Sequence, residues 1–409
     1  IDILKDAASA AIYGAQAANG VVLITTKSGK EGKAQISFDA YYGVQTVARK
    51  INMLNAKEYM TIMDEQAVNS GNTPYDWSSF RSIYDANGNV HDTDWIDSMF
   101  KDNARTQSYT LGITGGSQTS TYALSLGYMS QEGVVGGKDV SNYERYNFRI
   151  NSEHKIFKDS DLLKVGEQVS FVYKMNNGIS VSDQYNNNNA YDSSYNDTSN
   201  SDWYNGDGNP YGSMMTNSNN ENKTATFSGN VYAELQPVRN LKLRSVFGAV
   251  YGSSEYRSFN PLYQFSIYTY NTTRTSATQN MNHSLGMTWT NTAAYDWTCG
   301  KHAFNALVGM EVYRYSGTYL QAKTGALREG FDDWDHAYVG NGTASSADDG
   351  MSVDGYPHDE SRSVSYFGRF GWNWKETYML NATLRADGSS KFARGNRYGV
   401  FPSISAGWT

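Results

Sequence analysis

The chain has 409 residues, a formal net charge of −7, 14% aromatic residues with 32 tyrosines, and only 6 prolines. It has no long basic block, so nucleic acid is not an expected partner. Cys299 is its single cysteine, which excludes an internal disulfide and any multi-cysteine metal site. No apolar run approaches the ~20 residues that a membrane helix needs. The length suits two or three soluble domains or one large β-barrel, and the composition favours strands over helical bundles or disorder. The chain opens on Ile1 rather than methionine and stops at Trp408 and Thr409 inside a strand-like pattern, so it reads as a piece of something longer.

In chain order, the first distinct unit is ILKDAASAAIYGAQAANGVVLITTKSGK at residues 3–30. Leu4, Ala8, Ala11 and Ile12 fall on one face at helical spacing, and Gly14 is placed to end that helix. Asn19-Gly20 signals a turn. The apolar run at residues 21–24 suits a short strand buried on both faces. A helix, a turn and a buried strand together suggest a small packed unit that feeds a large sheet.

Beyond Lys30 a period of two recurs. Ile36, Phe38, Ala40 and Tyr42 share one face, and Gln35, Ser37, Asp39 and Tyr41 the other. Tyr122, Leu124, Leu126 and Tyr128 oppose Ala123, Ser125 and Gly127. Val364, Tyr366, Phe370, Trp372 and Trp374 oppose Ser365, Arg369 and Asn373. About a dozen strands are expected, near 34–45, 105–115, 120–130, 143–155, 162–173, 223–235, 241–253, 281–297, 303–317, 362–374, 378–387 and 398–409. Alternation suits both a soluble sandwich, whose apolar face is a core, and a membrane barrel, whose apolar face meets lipid. Two further features favour the barrel. The connections alternate short and long, with long segments at 46–104, 131–142, 174–222, 254–280, 318–361 and 388–397. That is the pattern of an up-and-down barrel with tight turns on one side and loops on the other. Aromatics also gather near strand ends, with Trp372 and Trp374 by a short turn and Tyr42 and Tyr128 by long loops, as in an interfacial girdle. Glu167 breaks the pattern, falling on the face of Val165, Val169 and Phe171.

The residues 3–30 resemble the end of the plug domain in the SusC/RagA family of TonB-dependent outer-membrane transporters. The resemblance continues in LNAKEY at 54–59, TDW at 93–95, GGS at 115–117, STYA at 120–123, LGY at 126–128, QEG at 131–133 and RADGSSKF at 385–392. It implies an all-β fold: a membrane β-barrel of about 22 antiparallel strands when complete, about 12 of them here, with residues 1–30 as the C-terminal end of a plug and 31–409 as a partial barrel. It also implies TonB-dependent import of a large nutrient, an oligosaccharide or a peptide, across the outer membrane under a SusD-like surface lipoprotein. The TonB complex would act through plug sequence outside this chain.

Catalytic and cofactor signals are weak, and neither an enzyme nor a cofactor is expected. The 6 histidines are scattered, with no HExxH pair and no G-x-S-x-G elbow. Asp85, Asn87 and Asn89 resemble half a calcium loop, but Val90 stands where such a loop turns on glycine, so a plain turn is favoured. Asn55 and Glu58 form a capping box for a short helix over 55–66, inside the first long segment. Candidate ligand residues lie in the loops: Tyr191, Tyr195, Trp203, Tyr204 and Tyr211 among Asn and Asp, and Trp334 within an acidic stretch. Flat rings stack on sugars, and amides and carboxylates bond hydroxyls; the same residues could instead pack loop against loop. A barrel used for adhesion and a soluble carbohydrate-binding β-protein remain alternatives at this point.

Overall fold

The computed structural model describes residues 2–4, 11–17, 19–79, 84–85, 87–179, 210–264 and 270–409. Their dominant feature is one antiparallel sheet of thirteen strands. It comprises β3 (Gly32–Gln45), β4 (Ala104–Gly116), β5 (Ser120–Glu132), β6 (Asn142–Phe157), β7 (Ser160–Asn177), β8 (Asn220–Val238), β9 (Leu241–Asn260), β12 (Ser276–Cys299), β13 (His302–Gly325), β14 (Ser352–Pro357), β15 (Ser361–Trp374), β16 (Tyr378–Ser389) and β17 (Tyr398–Trp408). Two small pairs stand apart from it: β1 (Asp2–Leu4) with β2 (Val21–Leu23), and β10 (Tyr263–Gln264) with β11 (Tyr270–Asn271). In the large sheet the strands follow chain order, with β9 beside β12 and β13 beside β15; β14 joins β13 alone, and β3 and β17 end the main path. Such meander order needs only hairpin links, which explains the tight turns at one side.

The two faces differ in kind. One carries a continuous apolar band. In register, Leu111, Leu126, Phe148, Phe171, Phe227 and Tyr251 run across six strands. Many residues of this face lie open, among them Val308 (60% exposed), Tyr366 (52%) and Leu384 (56%). On a water-facing surface an apolar expanse of this size would be an aggregation hazard; facing hydrocarbon it is the required condition. Along β15 the band covers Val364, Tyr366, Phe370, Trp372 and Trp374, close to the ~9–11 residues of a tilted transmembrane strand.

Aromatic rings mark both margins. Tyr109, Tyr128, Tyr146 and Tyr173 are register partners near the long-loop side. The rings of Tyr109 and Tyr128 stack with centroids 6.3 Å apart, and Tyr128 lies 5.0 Å from Tyr146. The next outward positions are polar: Tyr109 donates to Gln107 and Tyr146 to Glu144, each at 3.4 Å. At the short-turn side Trp297, Phe304 and Trp372 line up in register, with Trp297 and Phe304 stacked at 5.0 Å. Rings with an apolar body and a polar tip suit a boundary between hydrocarbon and water.

Glu167, the exception in the sequence, does lie on the apolar face, paired with Ser152 and Val231. It is not bare. The Ser152 hydroxyl donates to its carboxylate, His154 Nε2 lies 2.7 Å from the same hydroxyl, and His154 Nδ1 lies 3.0 Å from Ser120 Oγ. This chain of polar groups runs toward the short-turn margin, where Ser120 opens β5, and carries the carboxylate's hydrogen bonding out of the band.

Several expectations are corrected here. Leu4 belongs to a strand, its register partner being Val21, so no helix runs from Leu4 through Ile12; Ala8 lies outside the described residues. A short 3-10 segment at Ala11–Ala17 takes that place, broken at Gly14, whose φ of 69° and ψ of −152° are not helical. The strand at 21–24 is not buried on both faces: Val22 is 59% and Ile24 69% exposed, and among the described residues β2 pairs only with β1. The strands β9, β12 and β13 run well past their expected long-loop ends. There polar residues stand on both faces, Gln279 and His283 on one and Asn280 and Gln321 on the other, and the two-residue alternation fades. β14 was not expected; it pairs with β13 at residues 318–323, where β15, which pairs over 302–315, has ended.

Ser152→Ala removes the donor to Glu167 and should destabilise the folded sheet by about 1–3 kcal/mol, the cost of a buried acceptor left unpaired. Adding Glu167→Leu should recover most of that loss. Urea titration of the folded, heat-modifiable band checks both, and an unchanged midpoint for Ser152→Ala would mean that the carboxylate reaches water by another route.

Candidate functional site

The polar face of the sheet is concave and holds the segment 11–30. A cavity of about 600 Å³ is bounded by Arg149, Asn151, Gln168, Asn230, Thr288 and Tyr313, together with Thr26 of that segment. These side chains alternate with the apolar band, so the sequence that builds the lipid-compatible face builds this polar one as well.

The segment is fixed at two widely separated strands. On β6, Asn151 is 6% exposed, and its Nδ2 donates to Thr26 Oγ1 at 3.2 Å and to the Lys27 carbonyl at 2.8 Å. On β16, Arg385 is 7% exposed, and its Nη1 donates to the Ile12 carbonyl at 2.6 Å. Three further contacts hold the guanidinium. Its Nε donates to Asp387 Oδ1 at 2.6 Å, its Nη2 lies 3.6 Å from Glu311 Oε1, and it sits 5.2 Å over the Phe367 ring. Two carboxylates and an aromatic face compensate a cation removed from bulk water, and a main-chain oxygen takes a further N–H.

Gly14 makes this approach possible. A Cβ at that position would collide with Asp387 Oδ2 and with Nε and Cδ of Arg385, and its φ of +69° is unfavourable for any side chain. The sequence had marked Gly14 only as a helix end and RADGSSKF only as a resemblance. The contact of the two, with Arg385 reaching the Ile12 carbonyl 373 residues away, is visible only in the structure.

At the long-loop side the connections pack rather than hang free. Trp95 and Met99 of the helix Trp95–Met99 meet Val140 and Met214, and Met214 belongs to the helix Pro210–Asn217. A second small core joins Phe259, Ala277, Leu327 and Ala337, with Trp334 against it. The helix Ala56–Asn69 carries the expected capping box, with Asn55 and Glu58 bonding each other's backbone N–H at 2.9 Å. The Asp85 carboxylate accepts from the backbone N–H of Asn87 and Asn89, each at 2.8 Å, and bonds chiefly to Asn89 hold it below the usual carboxylate range. Its oxygens thus close a turn. Asp333 is similarly held low by His336, which meets it through both ring Nδ1 and backbone N–H. Among the described residues no group of three His, Cys, Asp or Glu is arranged to hold a metal ion.

The loop residues named from the sequence divide into two sets. Tyr191, Tyr195, Trp203 and Tyr204 lie outside the described residues. Tyr211 is 42% exposed on the helix Pro210–Asn217. Trp334 is engaged on one side: the Arg257 guanidinium lies 4.0 Å over its ring and 4.5 Å over Tyr338, and Arg257 Nη1 donates to the Trp334 carbonyl at 3.1 Å. Sequence reading missed Arg257, because a single arginine on a strand carries no spacing signal.

An up-and-down antiparallel sheet with an apolar outer band, aromatic margins and a polar concave face holding an inserted segment is the architecture of a plugged membrane β-barrel. The comparisons agree with this. No family model matches the chain. Over its whole length it is 29% identical to TonB-dependent receptor P26 of Formosa agariphila and 26% identical to TonB-dependent receptor SusC of Bacteroides thetaiotaomicron, covering 40% of each. Its fold matches a chain of the RagAB peptide importer in the open-open state with a TM-score of 0.78, at 23% identity, covering 99% of this chain and 47% of that one. The chain is therefore a relative of the TonB-dependent receptors, SusC among them, with the barrel fold seen in the RagAB importer, and it spans about two fifths of the length of those curated relatives.

Arg385→Ala leaves the half-buried Asp387 and Glu311 carboxylates without their cation and frees the Ile12 carbonyl, an effect of about 1–3 kcal/mol once water screens the exposed carboxylates. Gly14→Ala should loosen the same contact while leaving the sheet intact. Limited proteolysis is expected to cut within residues 11–30 of both variants and not of the parent, with the barrel still heat-modifiable.

Proposed function

We propose that residues 1–30 are the end of a plug and residues 31–409 the first part of a transport barrel in the outer membrane, importing a large nutrient in a TonB-dependent manner. The observation that carries this reading is the insertion of residues 11–30 against the polar concave face, held by Arg385 and Asn151, beneath an apolar outer face. A pore wide enough for a large solute leaks unless it is filled, and a filler fixed by a few hydrogen bonds can be displaced by a pull from below. Closure at about 22 strands gives β3 and β17 partners and satisfies the backbone within lipid.

The substrate class of this reading is an oligosaccharide or a peptide. The curated relative SusC and the solved peptide importer RagAB stand behind these two possibilities. A SusD-like lipoprotein would cover the long-loop side, where the extended ends of β12 and β13 rise beyond the apolar band. Tyr191, Tyr195, Trp203, Tyr204 and Tyr211 are the residues proposed to grip the substrate, with Trp334 on the neighbouring loop core. Aromatic faces supply stacking there, and the surrounding amides and carboxylates supply hydrogen bonds. No covalent step on the substrate is required.

Uptake by cells carrying the intact protein should stop when TonB is removed. Replacing Trp203 and Tyr204 with alanine should weaken substrate binding about tenfold or more, the loss of two aromatic contacts. Labelled-oligosaccharide and labelled-peptide uptake, with and without TonB, checks both points and separates the two substrate classes. TonB-independent uptake would overturn the mechanism; unchanged binding in the double variant would remove that pair from the site.

A further inference from the structure

On the outer face of β13 the apolar series Val308, Met310, Val312 ends at Arg314, and on β15 the series Tyr366, Val364 ends at Arg362. These two arginines are direct register partners. Like charges placed opposite each other across a ladder are unfavourable. A single carboxylate mediates between them: Glu360 Oε1 accepts from Arg314 Nε at 2.6 Å, from Arg362 Nε at 3.1 Å and from Arg362 Nη2 at 2.9 Å. Those bonds hold its carboxyl below the usual range, so it stays ionised. All three donors converge on one oxygen of one anion. Other charged groups near the long-loop ends are matched differently, Lys223 with Glu221 one to one and Glu144 with the neutral Tyr146. Among the described contacts the exposed Asp359 makes no ion pair with either arginine. The guanidinium groups are open, Arg314 at 49% and Arg362 at 62% of side-chain area.

We propose that Arg314 and Arg362 form a docking site for the phosphate group of an outer-leaflet lipid. Resting on the membrane reading above, the site has the two features that such a headgroup needs. Its donors stand where the hydrocarbon band ends, which is the depth of headgroup phosphates, and the acyl chains below would lie along Val308, Val312 and Val364. Guanidinium forks bond phosphate oxygens in pairs, so Arg362 Nη1 and the two Nη groups of Arg314, which Glu360 leaves unbonded, can meet one phosphate while Glu360 keeps the pair spaced. Glu360 thus positions the pair rather than neutralising it.

The test is native mass spectrometry of the intact protein purified from outer membranes in mild detergent, with the Arg314→Gln/Arg362→Gln double variant beside it. The parent should retain a phosphorylated lipid and the variant about thirtyfold less, the effect of two basic residues at a membrane surface. Equal retention by both proteins, retention of phosphate-free lipid to the same degree, or displacement by millimolar inorganic phosphate alone would overturn the proposal. Heat-modifiable migration of both proteins, run in parallel, reports separately on the barrel reading: its absence in the parent would mean that the membrane assignment itself fails.

Discussion

Hydrocarbon offers no hydrogen bonds, and that constraint shapes everything else in this chain. Each backbone N–H and C=O within the membrane must find a partner inside the protein. A meander of long antiparallel strands meets the demand with hairpin links alone, and the two-residue period then gives each strand one face for lipid and one for the interior. From one rule come the apolar band, the polar concavity and the placement of the turns. The exceptions obey the same rule. Glu167 sits in the band only because Ser152, His154 and Ser120 continue its hydrogen bonding to the margin.

The interior surface made in this way is polar by default and is suited to holding a second piece of chain without welding it in place. Asn151 and Arg385 reach the inserted segment largely through its carbonyls. Such contacts are directional and few, unlike the broad apolar burial that holds a domain core. A segment gripped thus is fixed at a few points of the wall and shares no packed core with it. Above the membrane the physics changes again. There the loops build small conventional cores, around Trp95 and Met214 and around Phe259 and Leu327, and the strands of β12 and β13 become a two-sided water-facing ladder.

How much of this the sequence discloses follows from where lipid is. The strands were legible at Ile36, Phe38, Ala40 and Tyr42, or at Val364, Tyr366, Phe370 and Trp372, because lipid on one side enforces alternation. The outer ends of β9, β12 and β13 were not, since water on both sides of Asn280 or Gln321 imposes no pattern. β14 was hidden by its Gly355 and Pro357, which read as turn residues although they lie on an edge. The helix expected from Leu4 to Ile12 failed because long-range pairing with Val21 outweighed a local spacing of small apolar residues. In the site, residue types were visible but partnerships were not. Gly14 and Arg385 lie at opposite ends of the chain, and Arg257 carries no signal apart from Trp334 and Tyr338.

The docking of Arg385 on the Ile12 carbonyl has a consequence for how the sequence can drift. The guanidinium recognises the course of the main chain and is indifferent to the side chain at position 12, so many residues there would be equivalent. The restriction falls instead on position 14, where any atom beyond hydrogen obstructs the fit, and on Arg385 and Asp387. In related proteins position 12 should therefore vary more than position 14, while the wall that receives the segment keeps its charged pair. A contact made through the main chain thus leaves its mark on a neighbouring glycine and not on the residue that is touched.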